Sequence, residues 1–518
     1  MDRRTFCKAL GAAACGALLP GLSAAAAETP AVGHVVPDGV YPLGFRSELS
    51  GCDLTHDYYY SDSFFDHPAD QYDHKLALAT LGMVCAAANT VASDQHYWVN
   101  GSVGREAHIA AAYETLGFGD AVFYNYDLDT GKAGDYVGYS LARKTLTRNG
   151  QRITLVALMM RGGGYGGEWA SNFHTGPSSA HTGFVTPVAA VFASLKAYLK
   201  KAVDAGEPDT FRLWLGGYSR GSVIANMVAA KAARELSQLS RETIYAYGFA
   251  VPAALTAADC PELQQDFDSN HQADGSLRKT WAESNIFSLI SSGDVVSRVL
   301  PDNWGYHRNG CDRFLPSTRK KEELADLDAL GKSYGPGPLV FSSLATAEET
   351  TNLVDVVEKF CISKENYHEK YESAIMDMIQ CAFIRSEDEV VNGSLLSDRE
   401  VVERLESLSN MKQFSYWQIV SSVWAASSMS RPILERYGQN VPLLARQIII
   451  PVLAVGLCYG IESDVVQVVG QYIVRLVAIR GDLDSVLRAA YCHHPENYIT
   501  LMEYYAPEEH GLKPFTRK

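Results

Sequence analysis

The stretch Phe211-Arg212-Leu213-Trp214-Leu215-Gly216-Gly217-Tyr218-Ser219-Arg220-Gly221-Ser222-Val223-Ile224-Ala225-Asn226-Met227-Val228-Ala229-Ala230 changes its period in the middle. Phe211, Leu213 and Leu215 recur at every second position, and the run Thr210 to Gly217 reads as a strand. From Ser222 to Leu236 small and apolar residues, many of them alanine, read as a helix buried on one side. Between the two stands Gly217-Tyr218-Ser219-Arg220-Gly221. A serine with glycines two places before and after it, on a tight turn from strand to helix, is the arrangement of a nucleophile elbow. Side chains at the glycine positions would collide with the neighbouring chain, and the serine is left standing above the sheet edge.

Outward from the elbow, the same alternation of strand and helix continues. Val137 to Leu146 and Arg152 to Met160 read as strands, and the second is almost wholly apolar, as a strand covered on both faces should be. Phe184 to Ala202 reads as a helix, Thr243 to Phe249 as a strand and Ile286 to Ser291 as another. Leu76 to Ala92 and His108 to Leu116 read as helices ahead of them, and Glu28 to Pro42 as an exposed lead-in. Strands that alternate with helices imply a mostly parallel α/β sheet with helices on both faces. After about Arg319 the pattern turns helical: Ala345 to Phe383, Asp398 to Leu408, Trp417 to Tyr437, Val441 to Ile461 and Asp464 to Ile479 carry helical spacing with almost no strand signal.

The two ends and the composition narrow the class. Arg3-Arg4-Thr5-Phe6-Cys7-Lys8, an apolar run Ala9 to Leu22 and Ala25-Ala26-Ala27 read as an export signal of the twin-arginine type cut near Ala27, in a bacterial, extracytoplasmic protein. Across 518 residues, 45 Lys+Arg against 60 Asp+Glu leave a net charge of −15. Without a long basic run, the chain is poorly suited to hold nucleic-acid phosphates or an anionic membrane. The apolar run Ile448 to Ile461 is too short to span a bilayer, and no transmembrane segment is expected in the mature chain. Single, scattered cysteines exclude a C-x-x-C zinc site, and Cys85, Cys381 and Cys458 lie in apolar stretches as small core residues. Tyr58-Tyr59-Tyr60 with Phe64-Phe65 read as a packed flap, and Arg480-Gly481-Asp482 as a turn. Nothing specifies an oligomeric state.

A serine at its ordinary acidity is a poor nucleophile and needs a histidine oriented by a carboxylate. In hydrolases of the α/β-hydrolase fold the acid follows the serine and the histidine comes last. Gly293-Asp294 follows the strand Asn285 to Ser292, and Asp294 is the expected acid. His307, His368, His493, His494 and His510 all follow it, and Cys492-His493-His494-Pro495-Glu496 lies on a loop before a closing helix. An oxyanion hole needs two backbone donors. Arg220 N–H supplies one, and the glycine-rich loop Arg161 to Gly167 after the strand ending at Met160, at Gly163, the other. The loop lacks a Gly-Lys-Ser/Thr or dinucleotide pattern, which argues against a nucleotide. No metal and no organic cofactor is called for.

Arg161-Gly162, Glu168-Trp169, Asn172-Phe173, His181-Thr182-Gly183-Phe184, the Ser219 elbow and Tyr247-Gly248-Phe249-Ala250-Val251-Pro252 together resemble the class 3 (fungal-type) lipase family. Tyr60-Ser61-Asp62, Phe64-Phe65, Leu76-Ala77 and Glu168 to Asn172 resemble a bacterial subset of lipase-like proteins. The resemblance runs from about Tyr58 to Pro301 and resumes at His493-x-Pro495-Glu496-x-Tyr498. It implies an α/β-hydrolase fold, a triad of Ser219, Asp294 and a histidine, and an acyl-ester substrate, lipid first and cell-envelope or glycan esters second. A third possibility is an inactive hydrolase fold used for binding. Matching the ending favours His493 over His494 as the base. Two positions depart from the pattern: Gly163 stands where the family has Thr or Ser, and Ser297 where it has Pro. The organisation expected is a signal at 1–27, a hydrolase core at 28–318, a helical insertion at 319–480 that caps the site, and a return at 481–518 carrying the histidine.

Overall fold

The computed structural model describes residues 33–47, 52–88, 106–126, 134–148, 150–163, 166–256, 265–266, 270, 278–298, 300, 304–333, 340–358, 363–383, 397–408, 410–437, 443–460 and 488–505. The export signal, the helix expected over Asp464 to Ile479, the turn at Arg480 and His510 lie outside them.

Eight strands form one mixed sheet in the order β3-β4-β5-β6-β7-β9-β10-β8. They are β3 (Gly119–Tyr124), β4 (Tyr139–Arg148), β5 (Gln151–Met160), β6 (Phe211–Tyr218), β7 (Ile244–Phe249), β8 (Gln265–Asp266), β9 (Ile286–Ser291) and β10 (Cys311–Leu315). The first three run antiparallel, and from β5 onward every pairing is parallel. The central strands are buried on both faces, as near-continuous apolar strands must be. Along β5, Leu155, Ala157 and Met159 pack to one side and Val156, Leu158 and Met160 to the other, each set in its own core. The second side is covered by α4 (Thr182–Asp204) and α5 (Arg220–Glu235). By length and composition α4 could cross a membrane; half of that apolar window is buried in the fold.

The first side is covered by α1 (His74–Ala86), which lies against β6 so closely that a Cβ on Gly216 would stand 2.4 Å from Thr80 Cγ2. Trp214 Nε1 donates to Thr80 Oγ1 at 2.8 Å across the same contact. A two-stranded antiparallel ribbon, β1 (Gly39–Arg46) and β2 (Asp53–Tyr60), packs outside α1. The expected exposed lead-in therefore ends earlier than the sequence implies, because residues 39–42 already pair with Asp57 to Tyr60. Tyr60 and Phe65 are fully buried against Trp214, with ring centroids 5.8 and 5.6 Å away. Helix α2 (Ala107–Thr115) precedes β3, and the short α3 (Gly166–Ser171) follows the loop after β5.

The helices after residue 319 fall into two groups. In the first, α6 (Lys321–Ser333) packs against the last helix, and Leu327, Phe341 and Leu344 belong to the core on the α1 side of the sheet. The second has a core of its own, built from Met378, Val401, Leu405, Ile419, Val423 and Val455 among others. After α7 (Ala347–Glu358), it comprises α8 (Glu372–Phe383), α9 (Asp398–Ser407), α10 (Tyr416–Tyr437) and α11 (Leu443–Cys458). Helix α8 bridges the two bodies by packing on α3. The chain returns at 488–494 and closes with α12 (Pro495–Tyr504). That return is fastened by Arg488 and Arg319, both on Glu349, and by hydrogen bonds from Ser47 to Glu496 and between His74 Nε2 and Met502 O. Among the described cysteines, Cys85, Cys381 and Cys458 are buried.

Candidate active site

Ser219 sits between the end of β6 and the first residue of α5 with φ 49° and ψ −121°. A non-glycine residue at such positive φ costs on the order of 1–3 kcal/mol and persists only where its surroundings fix it. Here the Ser219 N–H is tied to Phe249 O at 2.9 Å on the neighbouring strand. The flanking glycines are required by contact: a Cβ on Gly217 would come within 2.3 Å of Gly221 O, and one on Gly221 within 2.3 Å of Arg161 O. The elbow is thus wedged between its own helix and the chain leaving β5. Ser219 is 7% exposed at this point.

His493 and Asp294 meet this serine. His493 Nε2 lies 2.8 Å from Ser219 Oγ, and His493 Nδ1 lies 2.8 Å from Asp294 Oδ2. The carboxylate is fully buried and fully engaged: Tyr498 OH donates to Oδ2 at 2.8 Å and Val296 N–H to Oδ1 at 2.8 Å. Ser297, at the departure from the family pattern, donates its hydroxyl to Asp294 O at 2.9 Å. The turn that carries Asp294 passes close under the late chain, where a Cβ on Gly293 would stand 2.3 Å from Ala345 O. His493 itself is held through its main chain, its carbonyl accepting from Tyr218 OH at 2.6 Å, while Asn497 Nδ2 braces Cys492 O at 2.7 Å.

The other histidines are placed elsewhere. His494 is the N-cap of α12, its ring 5.8 Å from that of Tyr491. Burial and the neighbouring His493 push its basicity down to about 4. His368 pairs with Glu372 at 2.7 Å, and His307 exchanges main-chain bonds with Leu255.

The loop after β5 lies over the elbow. A Cβ on Gly162 would be 3.7 Å from Ser219 Cβ, so this main chain borders the serine directly. Arg161, wholly buried, fixes that course by a two-pronged pair with Glu168 at 2.7 and 3.0 Å and a bond to Gly162 O at 3.0 Å. Gly163 follows, with the Trp169 indole at its side. Arg220 presents its N–H in the first turn of α5, where amides lack intrahelical partners and the helix dipole favours negative charge. The Arg220 guanidinium turns away from the serine and gathers Tyr136 O, Asn172 Oδ1, Ser171 Oγ and Gly183 O at 2.7–2.9 Å. Burial brings its basicity down to about 10. Beside it, the Asp135 hydrogen bond raises the basicity of His174. The motif Glu168 to Asn172 is thus the scaffold of the loop.

Two residues that hold the site carry no sequence signal of that role. Tyr498 appears only as the end of a spacing pattern, and Tyr218 only as the variable residue of the elbow. Neither could be read as a partner, because both contacts join segments more than 200 positions apart.

Residues 164–304 match the family model "Lipase (class 3)". Among solved structures, the chain is similar to the triacylglyceride lipase of Rhizomucor miehei, with 14% identity, 46% of this chain and 79% of that chain covered, and a TM-score of 0.30. A lipase from Rhizopus microsporus var. chinensis matches at 14% identity over 47% and 76%, TM-score 0.29. Lipase II from Rhizopus niveus matches at 11% identity over 46% and 80%, TM-score 0.28. No curated protein matches the chain.

Proposed function

We propose that this chain, a lipase-like α/β-hydrolase by its family match and its sheet, cleaves carboxylic esters of lipids through Ser219, His493 and Asp294. The observation that carries the reading is the unbroken chain of contacts from Ser219 Oγ through His493 to Asp294, each link 2.8 Å. His493 Nε2 takes the proton of Ser219 as its oxygen attacks the ester carbonyl. The N–H groups of Arg220 and Gly163 receive the oxyanion of the tetrahedral intermediate. His493 then returns the proton to the departing alcohol, and water, activated by the same ring, releases the acyl group from Ser219. Asp294, buried and held by Tyr498 and Val296, orients the ring and stabilises its charged form.

Lipid is favoured over a water-soluble ester by the surface of α10. Trp417 and Trp424, one heptad apart, are 74% and 68% exposed, and Tyr416 beside them is 52% exposed. Aromatic side chains displayed this way suit a lipid–water boundary. The helices α8 to α11 form the cap in this reading, with α8 seated on α3 behind the oxyanion loop. We assign the N-terminal 27 residues to export by the twin-arginine route, on the pattern Arg3-Arg4-x-Phe6-x-Lys8. Hydrolysis of a long-chain triacylglycerol is expected to rise once the substrate passes its solubility limit and forms an emulsion. A rate that saturates below that limit, with preference for short soluble esters, would move the assignment to the soluble-ester class.

A further inference from the structure

The base of the site reaches the serine from a segment 274 positions later in the chain, and no strand carries it. Something other than the sheet must therefore fix both the height of His493 above Ser219 and the direction of its ring. We propose that Tyr218 and Tyr498 form a paired positioning device, Tyr218 setting the place of His493 and Tyr498 setting the charge and direction of Asp294. The proposal rests on the reading of Ser219, His493 and Asp294 as a hydrolytic triad.

Tyr218 is the residue before the nucleophile, and its hydroxyl donates to the main-chain oxygen of His493 at 2.6 Å. One residue at the end of β6 thereby ties the nucleophile's turn to the base's turn. Tyr498 lies on α12, after the base, and its hydroxyl receives Ser291 N–H at 3.0 Å. With that oxygen already accepting, the phenolic proton is directed at Asp294 Oδ2, the same oxygen that faces His493 Nδ1. The two rings meet edge to face with centroids 5.6 Å apart, so a shift of either is felt by the other. Both side chains are buried, and burial raises the pKa of each hydroxyl above the usual phenol range, which keeps both as donors at working pH. The titratable and charged groups that face the two tyrosines and the turn of His493 are Asp294 beside β9, Cys85 of α1, Glu496 of α12, Cys492 and His494 on the turn itself, and Arg319 and Arg488 toward Cys492.

The two hydroxyls predict different phenotypes. In Tyr498→Phe, Asp294 loses a donor, holds more negative charge toward His493 and favours the imidazolium. The acid limb of kcat/KM against pH is then expected to move upward by about half a unit. In Tyr218→Phe no carboxylate is touched: kcat is expected to fall about tenfold through misplacement of the base, with KM and the acid limb unchanged. In the double variant the losses should be less than multiplicative, because both hydroxyls act on the one imidazole of His493. Circular dichroism and melting curves verify that each variant is folded. Two folded variants with wild-type kcat/KM and an unmoved acid limb would overturn the proposal, and so would the same limb shift from both. Titration of the His493 ring by proton NMR without substrate separates this failure from failure of the hydrolase reading. Tyr498→Phe must still move that titration upward even if no ester is turned over, and an unmoved titration would refute the pairing.

Discussion

Ser219 shows how far single residues can be read from a sequence and where that stops. The two flanking glycines and the switch from strand to helix are local, and the collisions that forbid a Cβ at Gly217 and Gly221 are with atoms a few residues away or on the adjacent strand. Asp294 is legible for the same reason, as the residue that leaves β9. The choice between His493 and His494 rests on a difference of one position, which rotates a side chain from the serine to the cap of a helix. His493→Ala is expected to lower hydrolysis by about 10³-fold or more. His494→Asn should retain most activity, since asparagine is well suited to an N-cap position and the hydrogen bonds to Ser219 Oγ and Asp294 Oδ2 are made by His493. That variant also alters acid sensitivity. An imidazole in the unfolded chain titrates at about 6.5, whereas His494 in the fold is held to about 4. Between those values the unfolded state binds the extra proton, so stability present above pH 6.5 is lost as the pH falls toward 4. Melting temperatures at pH 7 and pH 5 should therefore differ less in His494→Asn than in wild type. An equal difference would show that His494 is not a source of the acid sensitivity.

At the scale of elements, the long apolar strands and helices of the hydrolase core were readable, and β10 and the β1–β2 ribbon were not. Strand β10 reads Cys-Asp-Arg-Phe-Leu, and its charges hide the strand. Asp312 is paired with Arg308 at 2.7 Å and Arg313 stacks over the Tyr72 ring at 4.2 Å, so both are buried without violating the cost of burying charge. Strand β1 is only partly covered, and Pro42 within it weakens the strand signal. The late helices were legible as helices, but their division was not, because contact with the main core and contact with one another leave the same periodicity. Helix α8 joins them to the segment after α3: Glu372 accepts from Thr175 Oγ1 at 2.7 Å and Gly176 N–H at 2.9 Å. On α10, Trp417→Ser with Trp424→Ser is expected to reduce hydrolysis of emulsified triacylglycerol several-fold while leaving a soluble short-chain ester unchanged. Equal loss on both substrates, or none on either, would remove α10 from lipid contact.

The whole molecule is an α/β sheet whose candidate triad is completed only when residues 488–505 return to the core. Asp294 and His493 are separated by 199 positions, and the helices between them contribute a second core without displacing either residue. The return is then locked by the N-terminal ribbon through Ser47 on Glu496 and His56 on Glu503 at 3.2 Å, and by Arg319 and Arg488 on Glu349. A site assembled from such distant parts works only as a folded unit, which suits export by a route that carries folded proteins. Replacing Arg3 and Arg4 by lysine should leave precursor inside the cell, and unchanged export would transfer the signal to the general secretory route. On the proposed mechanism Ser219 is a nucleophile activated by His493. The most direct test is labelling of the intact protein by a fluorophosphonate, with the modified peptide located by mass spectrometry. Stoichiometric modification at Ser219, abolished in Ser219→Ala and slowed about 10³-fold or more in His493→Ala, is the predicted result. A folded wild-type protein that takes up no label, or takes it up at another serine, would contradict it.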